Sequence, residues 1–226
     1  MKETRVSLCC LSYHFALFLL TLISSQPLTV LDLDSHEERG GTSLSNSSEA
    51  RLALYLYSSL SKETGNLSIQ SRVAIITPYS QQASLLRRTF SNEFGPEYEK
   101  RVEINTVDAF QGREANIVIF SCVRAAGSHG IGFLNDVRRM NVGLTRAKFF
   151  LFIIARCKSI VVSPYWRDLV NHAREKEAVI RVPMVGRMSS FPDLTTLKAL
   201  PPIKQTFPSA NKKPKATNEA EDGELK

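Results

Sequence analysis

The sequence predicts an α/β fold, with a mostly parallel sheet that helices cover on both faces. Almost wholly apolar runs of strand length recur along the chain, as at 117–123 and 149–155, which is typical of buried parallel strands. A polar segment rich in Gly, Gln, Glu, Asn and Arg precedes each of these two runs. Amphipathic stretches of helix length alternate with the strands. This alternation favours parallel pairing through helical crossovers.

The composition is that of one domain of ordinary size with extensions. The chain has 226 residues, of which 43% are apolar, enough to form a core. Its 29 basic and 22 acidic residues give a net charge of +7, which attracts polyanions mildly. The four cysteines have no zinc-site spacing, so we expect small buried side chains in a reducing compartment and no bound metal.

The elements of the first half follow from start and stop signals. Residues 28–33 predict a strand and 34–45 a loop. Asn46 and Glu49 have the spacing of a capping box, in which Asn46 accepts from the Glu49 N–H and Glu49 reaches back. A helix therefore follows, and Gly65-Asn66 ends it. Next come a strand at 72–77, a helix at about 79–94 and a short strand at 102–105.

The second half continues the alternation around the two long apolar runs. A glycine-rich loop at 125–133 leads to Asn135, which we expect to cap a helix that runs to Leu144. Ser163 and Pro164 have the residue types of a helix N-cap and first position. We expect Trp166, within that helix, to pack in the core. A last strand is predicted at 178–182.

Both ends of the chain differ from this domain, which we place at 28–185. Residues 1–27 contain two basic residues, an apolar run and a small-residue end, a pattern of signal peptides that is marginal for a membrane span. Residues 186–226 lose periodicity and gain Pro, Ser, Thr and Lys, so we expect a disordered tail. Its Lys-Lys-Pro-Lys stretch at 212–215 resembles a nuclear localisation signal, and a merely soluble tail is the alternative.

Three ordered motifs resemble those of a known family. VDAFQGREANIVIFSCVR at 107–124 resembles motif V, and RRMNVGLTRAK at 138–148 resembles motif VI, of superfamily 1 helicases of the kind that includes senataxin and the nonsense-mediated-decay RNA helicase. ITPYSQQ at 76–82 looks like the segment that this family places upstream. The resemblance implies that 28–185 is the second RecA-like domain of such a helicase. The Gln-Tyr-Arg motif that the family carries just before this domain is missing, so we expect residues 1–27 to be signal-like or misjoined.

The resemblance also implies a set of nucleotide contacts. Gln111, Gly112 and Glu114 lie where the family touches the γ-phosphate and sugar of ATP. Glycine lets a backbone approach a phosphate, and a carboxylate suits a ribose hydroxyl. Arg146 matches the family's arginine finger, a permanently charged group that stabilises charge on the γ-phosphate. A surface salt bridge is the alternative for Arg146.

A second set of positions is expected on the nucleic-acid side. By the same resemblance, Thr106 and Asp108 lie near the bound strand, and so do Pro78, Tyr79 and Gln82. The alternative for the last three is an ordinary solvated first turn of a helix. The expected partner is single-stranded RNA or DNA.

The sequence thus predicts the C-terminal half of an ATP-dependent helicase. No GxxxxGK[ST] loop occurs, and no apolar strand ends in an Asp-Glu pair that would hold Mg²⁺. ATP with Mg²⁺ would therefore be shared with a first RecA-like domain, and the chain alone should not hydrolyse ATP. A nuclear or cytoplasmic location follows, without a membrane partner. The alternatives are an inactive fragment that binds nucleic acid or regulates, and a membrane-anchored or secreted protein.

Overall fold

A computed structural model describes residues 26–63, 73–125, 130–183, 191 and 197–201. The expectations for the apolar N-terminal run, the Gly65-Asn66 helix end and the basic stretch at 212–215 fall outside these residues. In chain order the strands are β1 (Leu28–Leu33), β2 (Glu38–Gly40), β3 (Ser43–Ser45), β4 (Val73–Thr77), β5 (Val102–Thr106), β6 (Ala115–Ser121), β7 (Ala147–Ala155) and β8 (Val179–Val182). The helices are α1 (Ser47–Glu63), α2 (Ser80–Phe94), α3 (Val137–Leu144), α4 (Cys157–Ile160) and α5 (Pro164–Glu175).

Six of these strands form one parallel sheet, in the order β5-β4-β6-β7-β1-β8. The central strands β6 and β7 are apolar and mostly buried because both faces of the sheet are covered. Side chains of successive strand residues alternate between two cores. One core lies under α1 and α2, and the other lies under α4, α5 and the turn that holds Phe110. The predicted α/β fold with a parallel sheet is confirmed.

Two predicted boundaries shift for identifiable reasons. The expected loop at 34–45 contains the β2–β3 hairpin, whose strands of three residues are too short for a period-two signal. The run at 117–123 forms a strand only as far as Ser121, because Val123 takes a left-handed conformation with φ 68°. Cys157 lies beyond the end of β7 and opens α4. Cys157 and Cys122 are buried free cysteines, and burial raises the pKa of both thiols.

The predicted starts of α1 and α5 are right, but half of the capping box at α1 and the cap of α3 are wrong, because the Asn46 N–H donates to Gln82 rather than to Glu49. The Asn46 side chain accepts from the Glu49 N–H at 3.1 Å, as the capping box requires. Pro164 opens α5 after Ser163, although the Ser163 hydroxyl makes no capping bond. At α3 the cap is Asp136, which accepts from the N–H groups of Arg138 and Arg139 at 3.0 and 3.4 Å. Asn135 belongs to a preceding 3₁₀ turn, Gly132–Asn135, which moves the cap one residue on.

Each end of the sheet is covered in a different way. At edge strand β5, the Arg87 guanidinium donates two hydrogen bonds to the Ile104 carbonyl, at 2.8 and 3.2 Å. At edge strand β8, Ala199 forms an antiparallel bridge with Ile180, and the Leu200 N–H donates to the Val179 carbonyl at 2.7 Å. The described part of the expected tail therefore packs on the domain.

Trp166 lies in the core, as expected, and its indole N–H donates to the Leu134 carbonyl at 2.7 Å.

In the described stretches, none of the helices has the combination of length and apolar character needed to cross a bilayer.

Candidate functional sites at the two edges of the sheet

The turns before β6 and β7 meet at the amino edge of the sheet. The Ala115 N–H donates to the Arg146 carbonyl at 3.0 Å, and Ala115 pairs with Ala147 in the sheet. Glu114 and Arg146 are therefore neighbours, although 31 residues separate them along the chain. Parallel pairing of the two central strands brings the predicted nucleotide-contacting residues to one place.

Neutral oxygens hold the Arg146 guanidinium. Its Nη2 donates to the Thr145 hydroxyl at 3.0 Å, and its Nη1 approaches the Arg113 carbonyl at 3.5 Å. Its Nε is buried without a hydrogen-bond partner in the part of the chain that the structure describes. Among those same residues no carboxylate lies within salt-bridge distance of Arg146. The salt-bridge alternative for Arg146 is therefore without a carboxylate partner in the described ranges.

The turn before β6 exposes Gln111, Gly112 and Glu114 to solvent. Gly112 has φ +79°, and a Cβ built there would meet nothing within 4 Å. Glycine is therefore favoured at position 112 by the positive φ of the backbone and not by a steric clash that a Cβ would cause. The Glu114 carboxylate accepts from the Lys148 ammonium at 3.1 Å, and both side chains are about half exposed. Such a surface ion pair is weak and easily exchanged for another partner.

Thr106 is the last residue of β5, and Asp108 follows this strand at the opposite, carboxyl edge of the sheet. The Thr106 hydroxyl accepts from the Ala109 N–H at 3.3 Å and so shapes the turn. Asp108 is exposed and lies 3.5 Å from the Arg139 guanidinium of α3. Helix α3 therefore runs between the two edges, with Arg139 near its start and Arg146 just beyond its end.

The three residues expected at the start of α2 differ in exposure. Pro78 is partly exposed, whereas Tyr79 is 3% exposed and its hydroxyl donates to the Ile131 carbonyl at 3.4 Å. Burial raises the pKa of Tyr79 to about 12. Gln82 is wholly buried: its side chain accepts from the Asn46 N–H at 2.7 Å and donates to the Ser121 hydroxyl at 3.0 Å. Gln82 therefore ties α2 to α1 and β6 and is neither solvated nor open to a ligand.

The buried carboxyl group of Glu49 lies at the carboxyl edge of the sheet and was not anticipated from the sequence. Glu49 accepts from the Ser121 hydroxyl at 2.7 Å, from the Val123 N–H at 2.9 Å and from the Asn46 side-chain amide at 3.4 Å. Burial raises its pKa to about 8 in spite of these donors. The capping-box spacing located Glu49, but its side chain bonds residues more than 70 positions away and leaves the Asn46 N–H to Gln82.

The buried pair Arg124 and Glu37 supports the same edge. The two side chains meet at 3.0 Å, and the second Glu37 oxygen accepts from the Ala125 N–H at 2.7 Å. Over the ranges that the structure describes, no three His, Cys, Asp or Glu side chains are grouped as a metal site would require.

Comparison with known proteins identifies the family. The AAA domain family matches residues 15–158, more than half of the chain, so the chain belongs to that family. The match begins inside the N-terminal segment that the sequence set apart from the domain. Together with the relatives described below, this match shows that the chain is a superfamily 1 helicase domain of the senataxin and nonsense-transcript-regulator kind.

Three relatives illustrate this kinship. A probable helicase of Dictyostelium discoideum is 42% identical over 160 residues, which cover 69% of this chain and 16% of the relative. Helicase SEN1 of Saccharomyces cerevisiae is 37% identical over 139 residues, 61% of this chain and 6% of the relative. A regulator of nonsense transcripts 1 homologue of Neurospora crassa is 41% identical over 121 residues, 53% of this chain and 11% of the relative. The chain therefore spans less than a fifth of the length of each.

Proposed function

We propose that this chain is the C-terminal RecA-like half of an ATP-dependent RNA or DNA helicase. In this role Arg146 is the arginine finger, Gly112 and Glu114 contact the γ-phosphate and the ribose, and a first RecA-like domain holds the nucleotide. The observation that supports it is the pairing of β6 with β7, which brings Arg146 beside the Gln111–Glu114 turn at one edge.

The electrostatics of that edge support a role in phosphoryl transfer. The Arg146 guanidinium is bonded to neutral oxygens, so approaching a phosphate would not require it to leave a carboxylate. A charged fork aimed at the γ-phosphate stabilises the charge that its oxygens carry in the transition state.

The residues present fit part of an ATP·Mg²⁺ complex. Arg146 and Lys148 suit phosphate oxygens, and the Glu114 carboxylate suits a sugar hydroxyl once it exchanges Lys148 for the ligand. Magnesium would neutralise the phosphates, and its ligands would come from the first domain. Single-stranded RNA or DNA would pass over the carboxyl edge near Thr106, Asp108 and Pro78. Because the proposed partner is RNA or DNA, we also propose that the protein acts in the nucleus or the cytoplasm.

The test uses a two-domain protein that joins this chain to a first RecA-like domain. Arg146→Lys should lower kcat on the order of 10³-fold while the KM for ATP changes little, because a point charge does not reproduce the fork. Gly112→Ala should raise KM as well, because φ +79° strains an alanine in the turn. Arg88→Lys, on the exposed face of α2, serves as the matched control and should leave both constants unchanged. A normal kcat for Arg146→Lys would remove the finger assignment.

A catalytically inactive module that binds nucleic acid is the second candidate. It shares the carboxyl edge with the helicase proposal but needs nothing from Arg146. It is favoured if Arg146→Lys leaves every activity of the two-domain protein unchanged while strand binding persists.

A further inference from the structure

A cavity lies at the carboxyl edge of the sheet, between the β2–β3 hairpin and the 3₁₀ turn Gly132–Asn135. We propose that it binds one nucleotide of a single-stranded nucleic acid, with the base stacked on Phe133 and the phosphate beside Arg39. This inference rests on the proposed function, because it adds a strand-holding subsite to the same domain. Of the residues that form it, the sequence pointed only to Tyr79.

The cavity is positioned where parallel α/β sheets bind ligands, beyond the carboxyl ends of their strands. Its volume is about 290 Å³, which is room for a nucleotide but not for a folded partner. Arg39, Thr42 and Ser43 line it from the hairpin, and Tyr79 and Phe133 line it from the other side.

The hairpin wall is held in place before any ligand arrives. The Ser47 hydroxyl donates to the Glu38 carboxylate at 2.9 Å, at the base of the hairpin. The Gln81 N–H donates to the Ser43 hydroxyl at 3.3 Å, and the Gln81 side-chain amide faces the Gly40 and Ser43 carbonyls. A wall already in position lowers the entropy cost of binding.

The charges around the cavity favour an anionic ligand. Arg124 lines it too, but its partner Glu37 lies 3.0 Å away and balances its charge. Arg39 is exposed on β2 and adds a cation at the rim. Thr42 and Ser43 also line the cavity, and hydroxyl-bearing side chains bind phosphate oxygens in other sites.

The aromatic side of the cavity has the chemistry of a base-stacking platform. Phe133 is 50% exposed, and the Arg139 guanidinium carbon lies 4.9 Å from its ring centre. The Tyr79 ring packs against it with centroids 5.6 Å apart, which fixes its position. Rings and guanidinium planes of this kind take up bases of any sequence. Because Arg139 also meets Asp108 at 3.5 Å, the platform continues to a position expected near the strand.

The test measures binding of the full chain to oligo(dT) and to an abasic strand of equal length, by fluorescence anisotropy. Wild type should bind oligo(dT) about 5-fold or more tightly than the abasic strand, the size of one base–aromatic stack. Phe133→Ala should abolish this difference, and Phe133→Tyr should retain it. Arg39→Gln should weaken both strands by the same factor and lower the salt slope by about one.

Two variants serve as controls: Tyr165→Ala removes another exposed ring, and Arg88→Gln removes another exposed cation. Both should leave the preference for bases intact. The proposal is overturned if Phe133→Ala weakens the two strands equally or not at all, if neither strand binds, or if thymidine monophosphate competes as well as the strand does. Circular dichroism checks that each variant is folded. Failure of the subsite leaves the kcat of the two-domain protein unaffected, so it is distinguishable from failure of the proposed function.

Discussion

Glu49 carries a wholly buried carboxyl group whose titration links stability to pH. Burial disfavours its ionised form more than the Ser121 and Val123 donors favour it, and the pKa rises from the ordinary 4.5 to about 8. The unfolded chain ionises at the lower value, so between the two values unfolding releases a proton. The stability that Glu49 contributes is therefore complete below pH 4.5 and is lost as pH rises toward 8.

We predict that Glu49→Gln flattens this dependence. Glutamine cannot ionise, and its oxygen can still accept from Ser121 and Val123. The wild-type free energy of unfolding, measured in urea, should fall by on the order of a few kcal/mol relative to the variant as pH rises from about 5 to about 8. Glu93→Gln, at an exposed position of α2, should keep the wild-type profile. Parallel profiles for Glu49→Gln and wild type would contradict the prediction.

Residue-level patterns located Glu49 but not its surroundings. The sequence predicts the cap at Asn46 because the capping-box pattern lies within four consecutive residues. Burial of Glu49 depends on Ser121, a partner 72 positions away that no local pattern identifies. The same holds for Gln82, whose amide bonds residues on α1 and β6.

Helix α3 depends on one cap that the structure assigns to Asp136. We predict that Asp136→Ala lowers the free energy of unfolding by about 1 kcal/mol, because two N–H groups lose their acceptor. Asp136→Asn should retain most of it, since an amide oxygen also caps.

Asn135→Ala is the internal control for this prediction, because the sequence pointed to Asn135 and the structure does not. Its cost should be a few tenths of a kcal/mol or less, as for an ordinary exposed position. Chemical denaturation of the three variants decides between the two caps. An Asn135→Ala cost equal to that of Asp136→Ala would return the cap to Asn135.

Elements with strong periodicity were predictable, and short ones were not. The apolar runs located β1, β4, β6 and β7 because buried parallel strands need continuous apolar sequence. The strands of the β2–β3 hairpin have three residues each and α4 has four, which is too short for a repeating pattern to be recognised. Their positions depend on long-range contacts such as the Gln81 bond to Ser43.

At the scale of the whole molecule, the proposed chemistry is divided between two domains. We predict that the 226-residue chain alone shows no nucleic-acid-stimulated ATP hydrolysis, because its finger would have no nucleotide to close on. Phosphate release should stay at the level of an Arg146→Lys control. Turnover that survives repurification and depends on Arg146 would refute this.

The candidate sites were predictable to different degrees. Arg146 and the Gln111–Glu114 turn were identified by motif, and strand pairing explains why motifs far apart in sequence meet. Phe133 gave no signal, because a single aromatic residue in a glycine-rich loop has no period and no motif. Its exposure emerges only when the loop is seen against Tyr79.

The coverage of both sheet ends bears on how the protein behaves at high concentration. Bare edge strands template the addition of strands from other copies, which leads to swapping and fibrous aggregates. Here a cationic side chain occupies the Ile104 carbonyl on β5, and the chain's own segment at 197–201 lies along β8. Shortening the protein to the predicted domain end at 185 would uncover β8. The segment at 197–201, although it lies beyond the predicted domain, thus helps to prevent strands of other copies from pairing with β8.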